Sequence, residues 1–223
     1  MASSGASFFP LQRVKRRLTG RARVPFTLCL LLVLTLTTLM AGAHLSAITP
    51  LWLNRLGYAA RDLHAGNLWR MVSTALVTES PRGFYQALLL VALGVGGLEV
   101  RRGTLRAAVT FWGVHLGTLL VNAAVFAFVP ALESVAQARD VGPSAGYFGC
   151  LAAFLASLGR WGHVLNGLMF ASLLSVFALS LIDRPPAGEL ATLSANLAHV
   201  VAYALGWGAG VAFNQKRKIE RAL

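Results

Sequence analysis

Apolar runs separated by short polar stretches decide what this chain can fold into. There are six, over residues 24–43, 84–98, 105–129, 144–159, 165–182 and 190–213. None alternates apolar and polar residues as a membrane strand does, so each reads as a helix whose backbone groups bond internally. Of the 223 residues, 56% are hydrophobic and 13% charged, against about 25% charged in an average soluble domain. A soluble fold of this length has no interior for so much apolar surface, and lipid is the solvent that accepts it. The expected fold class is therefore an all-α integral membrane protein. A basic N-terminal segment (1–23) precedes a six-helix membrane domain (24–213), and a basic tail (214–223) follows it.

The net charge of +12 comes from 20 Lys and Arg against 8 Asp and Glu. These residues lie between the apolar runs and form no single basic face, which argues against nucleic acid and for membrane topology. With the N-terminus inside, fourteen of the 20 basic residues fall in inside segments and six outside. Both termini are expected in the cytoplasm, with loops 44–83, 130–143 and 183–189 outside. The run over 24–43 is longer than the about 7–15 residues of a signal-peptide core, so an uncleaved first helix is expected. The small, simple architecture points to a bacterial plasma membrane. Trp52, Tyr58 and Trp69 in the first loop are interface-preferring types, and Lys216-Arg217-Lys218 reads as a topological stop that also meets anionic lipid. Cys29 and Cys150 lie in apolar runs and are expected to be buried. They offer neither a disulfide framework nor metal-ligand spacing, and neither metal nor cofactor is expected.

The fourth run is short. From Ser144 to Gly159 a helix is about 24 Å long, less than the about 30 Å of hydrocarbon. With Arg160 at the cytoplasmic surface, Ser144 starts below the outer surface. Irregular backbone at that depth requires cover by protein or a wet cavity, so a water-filled pocket with Ser144 at its floor is expected.

Gly142-Pro143-Ser144-Ala145-Gly146 is a G-x-S-x-G string at a helix start. Alone, it reads more readily as a packing motif. Chemistry requires a base to take the serine proton, and free N–H groups of a helix start to receive an oxyanion. His199, in Ala195-Asn196-Leu197-Ala198-His199, is the candidate base, about 10 Å down its helix from Thr192. An ionisable residue within a membrane helix suggests function, although it can equally hydrogen-bond a neighbouring helix. Gly206 and Gly210 are spaced to let the last helix approach the fourth closely, at Gly146 and Gly149.

Together these motifs resemble the rhomboid family, in order and spacing from about Trp69 to Phe213. Trp69-Arg70 with Ser73-Thr74 is similar to the family's W-R-x-x-T stretch. Gly94, Glu99 and Gly103 resemble its second-helix signature. Gly142-x-Ser144, with Phe148 at the aromatic position beside the histidine, resembles its nucleophile motif. Asn196, His199, Gly206 and Gly210 resemble its sixth-helix motif. The resemblance implies a rhomboid-like bundle of six transmembrane helices, a Ser144/His199 dyad without a third acid, and cleavage of transmembrane protein substrates near their outer ends. It also implies Gly142, Asn196 and Phe148 as oxyanion or supporting residues.

Two departures stand out. The family's H-x-x-x-N pair in the second helix falls on Gly83 and Ala87, which donate nothing; Tyr85 and Gln86 are the nearby alternatives. The family's glycine three residues after the histidine is Ala202 here, where a methyl can push Ser144 and His199 apart. These departures keep open a second reading, a rhomboid-like protein that binds transmembrane clients without cleaving them. A small transporter would need paired intramembrane charges or an inverted repeat, and neither is apparent. Elsewhere, His115 reads as a packing or interhelical hydrogen-bond residue, His44, His64 and His163 as solvated or interfacial, and Glu99 as structural and neutralised by Arg101 and Arg102.

Overall fold

A computed structural model describes residues 23–129, 132–182 and 190–222, with side chains to 215. The basic residues at 13–21, Pro130, the loop 183–189 with Arg184, and the side chains of Lys216, Arg217, Lys218 and Arg221 lie outside the described residues. Those described are helical without a β-strand; an isolated antiparallel bridge joins Tyr58 to Asp140.

Helix α1 (Pro25–Met40) begins on a proline, whose fixed φ and missing N–H suit a first turn. Its other free N–H groups are met from another helix. Glu99 accepts from the N–H of Phe26 (3.0 Å) and Thr27 (2.9 Å) and from the Thr27 hydroxyl (2.6 Å). A carboxylate fits there because a helix N-terminus carries partial positive charge. This corrects the expected pairing of Glu99 with its own neighbours: Arg101 donates to Ser157 O (2.8 Å) and Arg102 reaches Asn214 Oδ1. At 16 residues, α1 is also shorter than its apolar run, because the chain turns through Gly42 at φ 71°.

Between α1 and the next long helix, the chain folds into α2 (Pro50–Leu56), α3 (Arg61–His64), α4 (Arg70–Ser73) and a 3-10 turn, Thr74–Leu76. Buried Asp62 knots this segment. Arg139 grips it with both guanidinium nitrogens (2.7 and 3.2 Å), and the Ala59 N–H donates to it (2.9 Å). Arg70 donates to the carbonyls of Asn54 (2.6 Å) and Gly57 (2.9 Å) and lies 5.1 Å over the Trp69 ring. Burial pushes the Asp62 carboxyl up; the Arg139 hydrogen bonds, the Ala59 N–H and the charges of Arg139 and Arg70 outweigh it and hold the carboxyl below its ordinary value.

Helix α5 (Pro81–Arg102) is capped by Ser80, whose Oγ accepts from Gly83 N (3.3 Å), and ends at Gly103 with φ 88°. It widens into a π-turn at Val91–Val95, where it meets α8. A Cβ at Gly94 would lie 3.0 Å from Tyr147 O. Helices α6 (Thr104–Phe128), α7 (Glu133–Gln137), α8 (Ser144–Ala156), α9 (Arg160–Ile182) and α10 (Leu190–Ala222) follow. The backbone of α10 stays helical into the basic tail.

Among the described residues, four helices are long and apolar enough to cross a membrane: α5, α6, α9 and α10 up to Gln215; α1 and α8 are apolar but shorter. The surface of α9 shows which solvent the fold requires. Gly162 and Asn166 are its buried residues, whereas Leu168, Val176 and Leu179 stand exposed. A helix this apolar with so little cover belongs in lipid.

Helix α8 occupies the centre, enclosed by α5, α6 and α10. A Cβ at Gly146 would strike the Phe111 ring of α6, and one at Gly149 would lie 2.5 Å from Val114 Cγ1. A Cβ at Gly206 would collide with the backbone of Gly149, and one at Gly210 would sit 2.8 Å from Ala153 Cα. The glycines of α10 thus pack on Gly149 and Ala153, while Gly146 serves α6. Helix α8 has 13 residues, or about 20 Å, and stops at Ala156, before Gly159 with its φ of 82°. It is even shorter than its apolar run. Cys150 is buried in the core, but Cys29 is exposed, contrary to expectation, because its side of α1 faces away from the bundle.

Candidate functional site

Ser144 is the first residue of α8, so its N–H and those just after it have no partner within the helix. The strand of chain that delivers it is tied down residue by residue. Tyr58 N–H donates to Asp140 O (3.0 Å), and Asp140 N–H returns the bond to Tyr58 O (2.9 Å). The Thr74 hydroxyl donates to Asp140 O (2.7 Å), and Gly142 N–H donates to Thr74 O (2.7 Å). Gly142 stands at φ 151°, a backbone region that side-chain-bearing residues rarely adopt. Its open surroundings, with only Ser144 near a notional Cβ, make conformation and not space the reason for glycine.

A small cavity of about 30 Å³ opens beside Ser144 and Gly142, between the α1–α5 connection, α6 and α10. Its size suits one water molecule, and polar groups stand among its mostly apolar lining. Tyr58, His115, Asn122, Asp140 and Ser194 contribute its polar lining. His115 Nε2 donates to Met71 O (2.9 Å), which leaves Nδ1 buried without a partner. Asn122 Nδ2 donates to Ser194 O (3.3 Å), which leaves Oδ1 without one. The Tyr58 hydroxyl is likewise buried and unpartnered. Burial and the charge of Glu79 push the Asp140 carboxyl up to about 7, against the opposing Val141 N–H. Burial and Asp62 push Tyr58 up to about 12.

His199 lies on α10, the helix packed on α8, and Phe148 reaches it from α8 with ring centroids 4.9 Å apart at 56°. Ser144 and His199 are not hydrogen-bonded to each other, and neither side chain has a hydrogen-bond partner among the described residues. Ala198, next to His199, lines the cavity; His199 itself does not. Catalytic hydrogen bonds are often long before substrate binds, so this separation leaves a general-base role open.

The remaining motif residues scatter. Asn196 is partly exposed, has no hydrogen bond and lines no part of the cavity. Trp69 and Arg70 organise the α1–α5 connection, Glu99 caps α1, and Gly206 and Gly210 pack α10 on α8. Ala202 is fully buried beside Tyr203, which donates to Asn166 Oδ1 (2.7 Å). In α5, Ala87 is buried away from the cavity, while Tyr85 (64% exposed) and Gln86 point outward, so none of the three reaches the cavity. His163, read from the sequence as solvated or interfacial, accepts from Trp207 Nε1 (3.0 Å) and so ties α9 to α10. Sequence patterning does not single out Asn122, Asp140 or Tyr58 for the cavity. A signal for α6 is present nonetheless: His115, Thr118 and Asn122 recur at helical spacing on one face of an apolar helix, and all three are buried.

Among the described residues, no group of three or more His, Cys, Asp or Glu side chains is placed to hold a metal ion. No protein-family model matches this sequence, and no curated protein matches it.

Proposed function

We propose that this chain is an intramembrane serine endopeptidase of the rhomboid type, with α1, α5, α6, α8, α9 and α10 as six membrane-crossing helices. The termini would face the cytoplasm, in a bacterial plasma membrane. The observation that carries the reading is the placement of Ser144. It heads a largely buried helix shorter than the hydrocarbon is thick, beside a cavity with polar groups in its lining, with His199 on the adjoining helix and Phe148 against its imidazole.

In this reading the Ser144 Oγ attacks a substrate carbonyl carbon as His199 takes its proton, and the C=O electron pair moves to oxygen. The unpaired N–H groups at the start of α8 receive the oxyanion. Collapse breaks the C–N bond, and the leaving amine takes the proton from His199. Water, deprotonated by His199, then cleaves the acyl ester and returns Ser144. Substrates are transmembrane segments that unwind near their outer ends, and no cofactor takes part.

Two observations favour a second reading, a rhomboid-like binder of transmembrane clients. Ser144 and His199 are not hydrogen-bonded, and Gly83 and Ala87 supply no donor to an oxyanion. Proteoliposomes holding the protein and a reporter with one transmembrane segment separate the two. A cut in the reporter with wild type, lost with Ser144→Ala, supports the protease; reporter co-purification without a cut in either supports the binder.

A further inference from the structure

Resting on the serine-protease reading, we propose that the Tyr58 hydroxyl is the side-chain donor to the oxyanion that forms at Ser144. An oxyanion needs hydrogen atoms pointed at it, and α5 offers none. Three unpartnered buried polar atoms belong to residues that line the cavity beside Ser144: Tyr58 OH, His115 Nδ1 and Asn122 Oδ1. Their chemistry separates them. His115 donates through Nε2 to Met71 O, so its Nδ1 carries a lone pair. Asn122 donates through Nδ2 to Ser194 O, so the atom left over is a carbonyl oxygen. Tyr58 alone of the three has a hydrogen to give.

Its position is fixed as a catalytic donor requires. The Tyr58 backbone is bonded in both directions to Asp140, four residues before Ser144. Movement of the serine and of the phenol is therefore coupled through one short bridge. Tyr58 is only 6% exposed, so the hydroxyl is held in a setting where a hydrogen bond to a developing negative charge counts for most. His115 Nδ1 and Asn122 Oδ1 are natural acceptors for the same hydroxyl, directly or through a water, before substrate arrives. When Ser144 Oγ adds to the carbonyl, the hydroxyl turns to the new oxyanion; no proton leaves Tyr58.

The test is the labelling rate of the purified protein in detergent by a fluorophosphonate, whose phosphoryl oxygen occupies the same donors. Tyr58→Phe keeps the ring and removes the hydroxyl. It is expected to label about 10²–10³-fold more slowly than wild type, with an unchanged melting midpoint. If the phenylalanine variant folds poorly, 3,5-difluorotyrosine at position 58 decides. It keeps the hydroxyl but makes it more acidic, so the alkaline fall in labelling rate moves to lower pH; an unmoved profile overturns the proposal. Labelling of Tyr58→Phe within twofold of wild type, with Ser144→Ala unlabelled, overturns the donor and leaves the reactive serine standing. Failure of wild type itself to label overturns both.

Discussion

The Phe148 ring lies 4.9 Å from the imidazole of His199, centroid to centroid, and bridges the two central helices one turn below Ser144. Because Phe148 is buried, it acts as a wall for the imidazole as well as part of the core. Phe148→Leu keeps most of the volume and should cost less than about 1.5 kcal/mol in stability. Removing the flat wall should nonetheless slow Ser144 labelling up to about 100-fold, the cost of about 1 Å of misplacement. Melting curves and labelling rates on the same sample check this.

The close approach of α10 to α8 rests on Gly206. Gly206→Ala brings a methyl onto the Gly149 carbonyl, and overpacking of this kind should destabilise the protein by about 1–3 kcal/mol. Gly208, with nothing within 4 Å of a notional Cβ, is the control. Gly208→Ala should be neutral or stabilising, since glycine is about 0.5–1 kcal/mol worse than alanine within a helix. Thermal unfolding in one detergent ranks the pair.

Glu99 holds α1 to the bundle through three hydrogen bonds, two to backbone N–H groups that have no partner within their own helix. Glu99→Gln removes the charge and half of the acceptor capacity. A loss of about 1.5–3 kcal/mol is expected, with Thr27→Val costing less because both backbone bonds survive. Faster proteolysis at the start of α1 would locate the loosened element.

Two carboxyls, Asp62 in the α1–α5 connection and Asp140 just before α8, carry opposite pH dependences. Asp62 is held below its ordinary value, so its contribution is present above about pH 3.9, the unfolded value, and disappears as pH falls through the folded value. Asp140 is pushed up to about 7, so its protonated form favours the fold, and stability is lost as pH rises from about 4 to about 7. Asp140→Asn should therefore raise the melting temperature at pH 8 and change it little at pH 4. Asp62→Asn should lower it at pH 7, by progressively less as pH falls toward the folded value. Melting curves across that range check both signs.

The helical membrane architecture was legible because lipid demands long apolar runs, and those run lengths survive in the sequence. Helix ends were less so. Hydropathy extends α1 over Met40-Ala41-Gly42-Ala43, where the backbone turns at Gly42, and it stops α5 short of Arg101 and Arg102, whose polar side chains leave the backbone helical. Ser144 at a helix start and Phe148 near His199 could be read because each depends on spacing within one segment or on a motif. The cavity could not. Tyr58, Asn122 and Asp140 meet only through the folding of the α1–α5 connection over α6, and its anchors, Asp62 with Arg139, are 77 residues apart. Glu99 misled for the same reason: its neighbours in sequence are arginines, but its partners lie more than 70 residues earlier.

The most direct test of the account asks whether Ser144 is a nucleophile activated by His199. Purified wild-type protein, Ser144→Ala and His199→Ala are incubated with a fluorophosphonate, and the adduct is mapped by mass spectrometry. The account predicts one adduct, on Ser144, lost in both variants. An unmodified wild type beside a labelled control protease, or an adduct that survives His199→Ala at the wild-type rate, would contradict it.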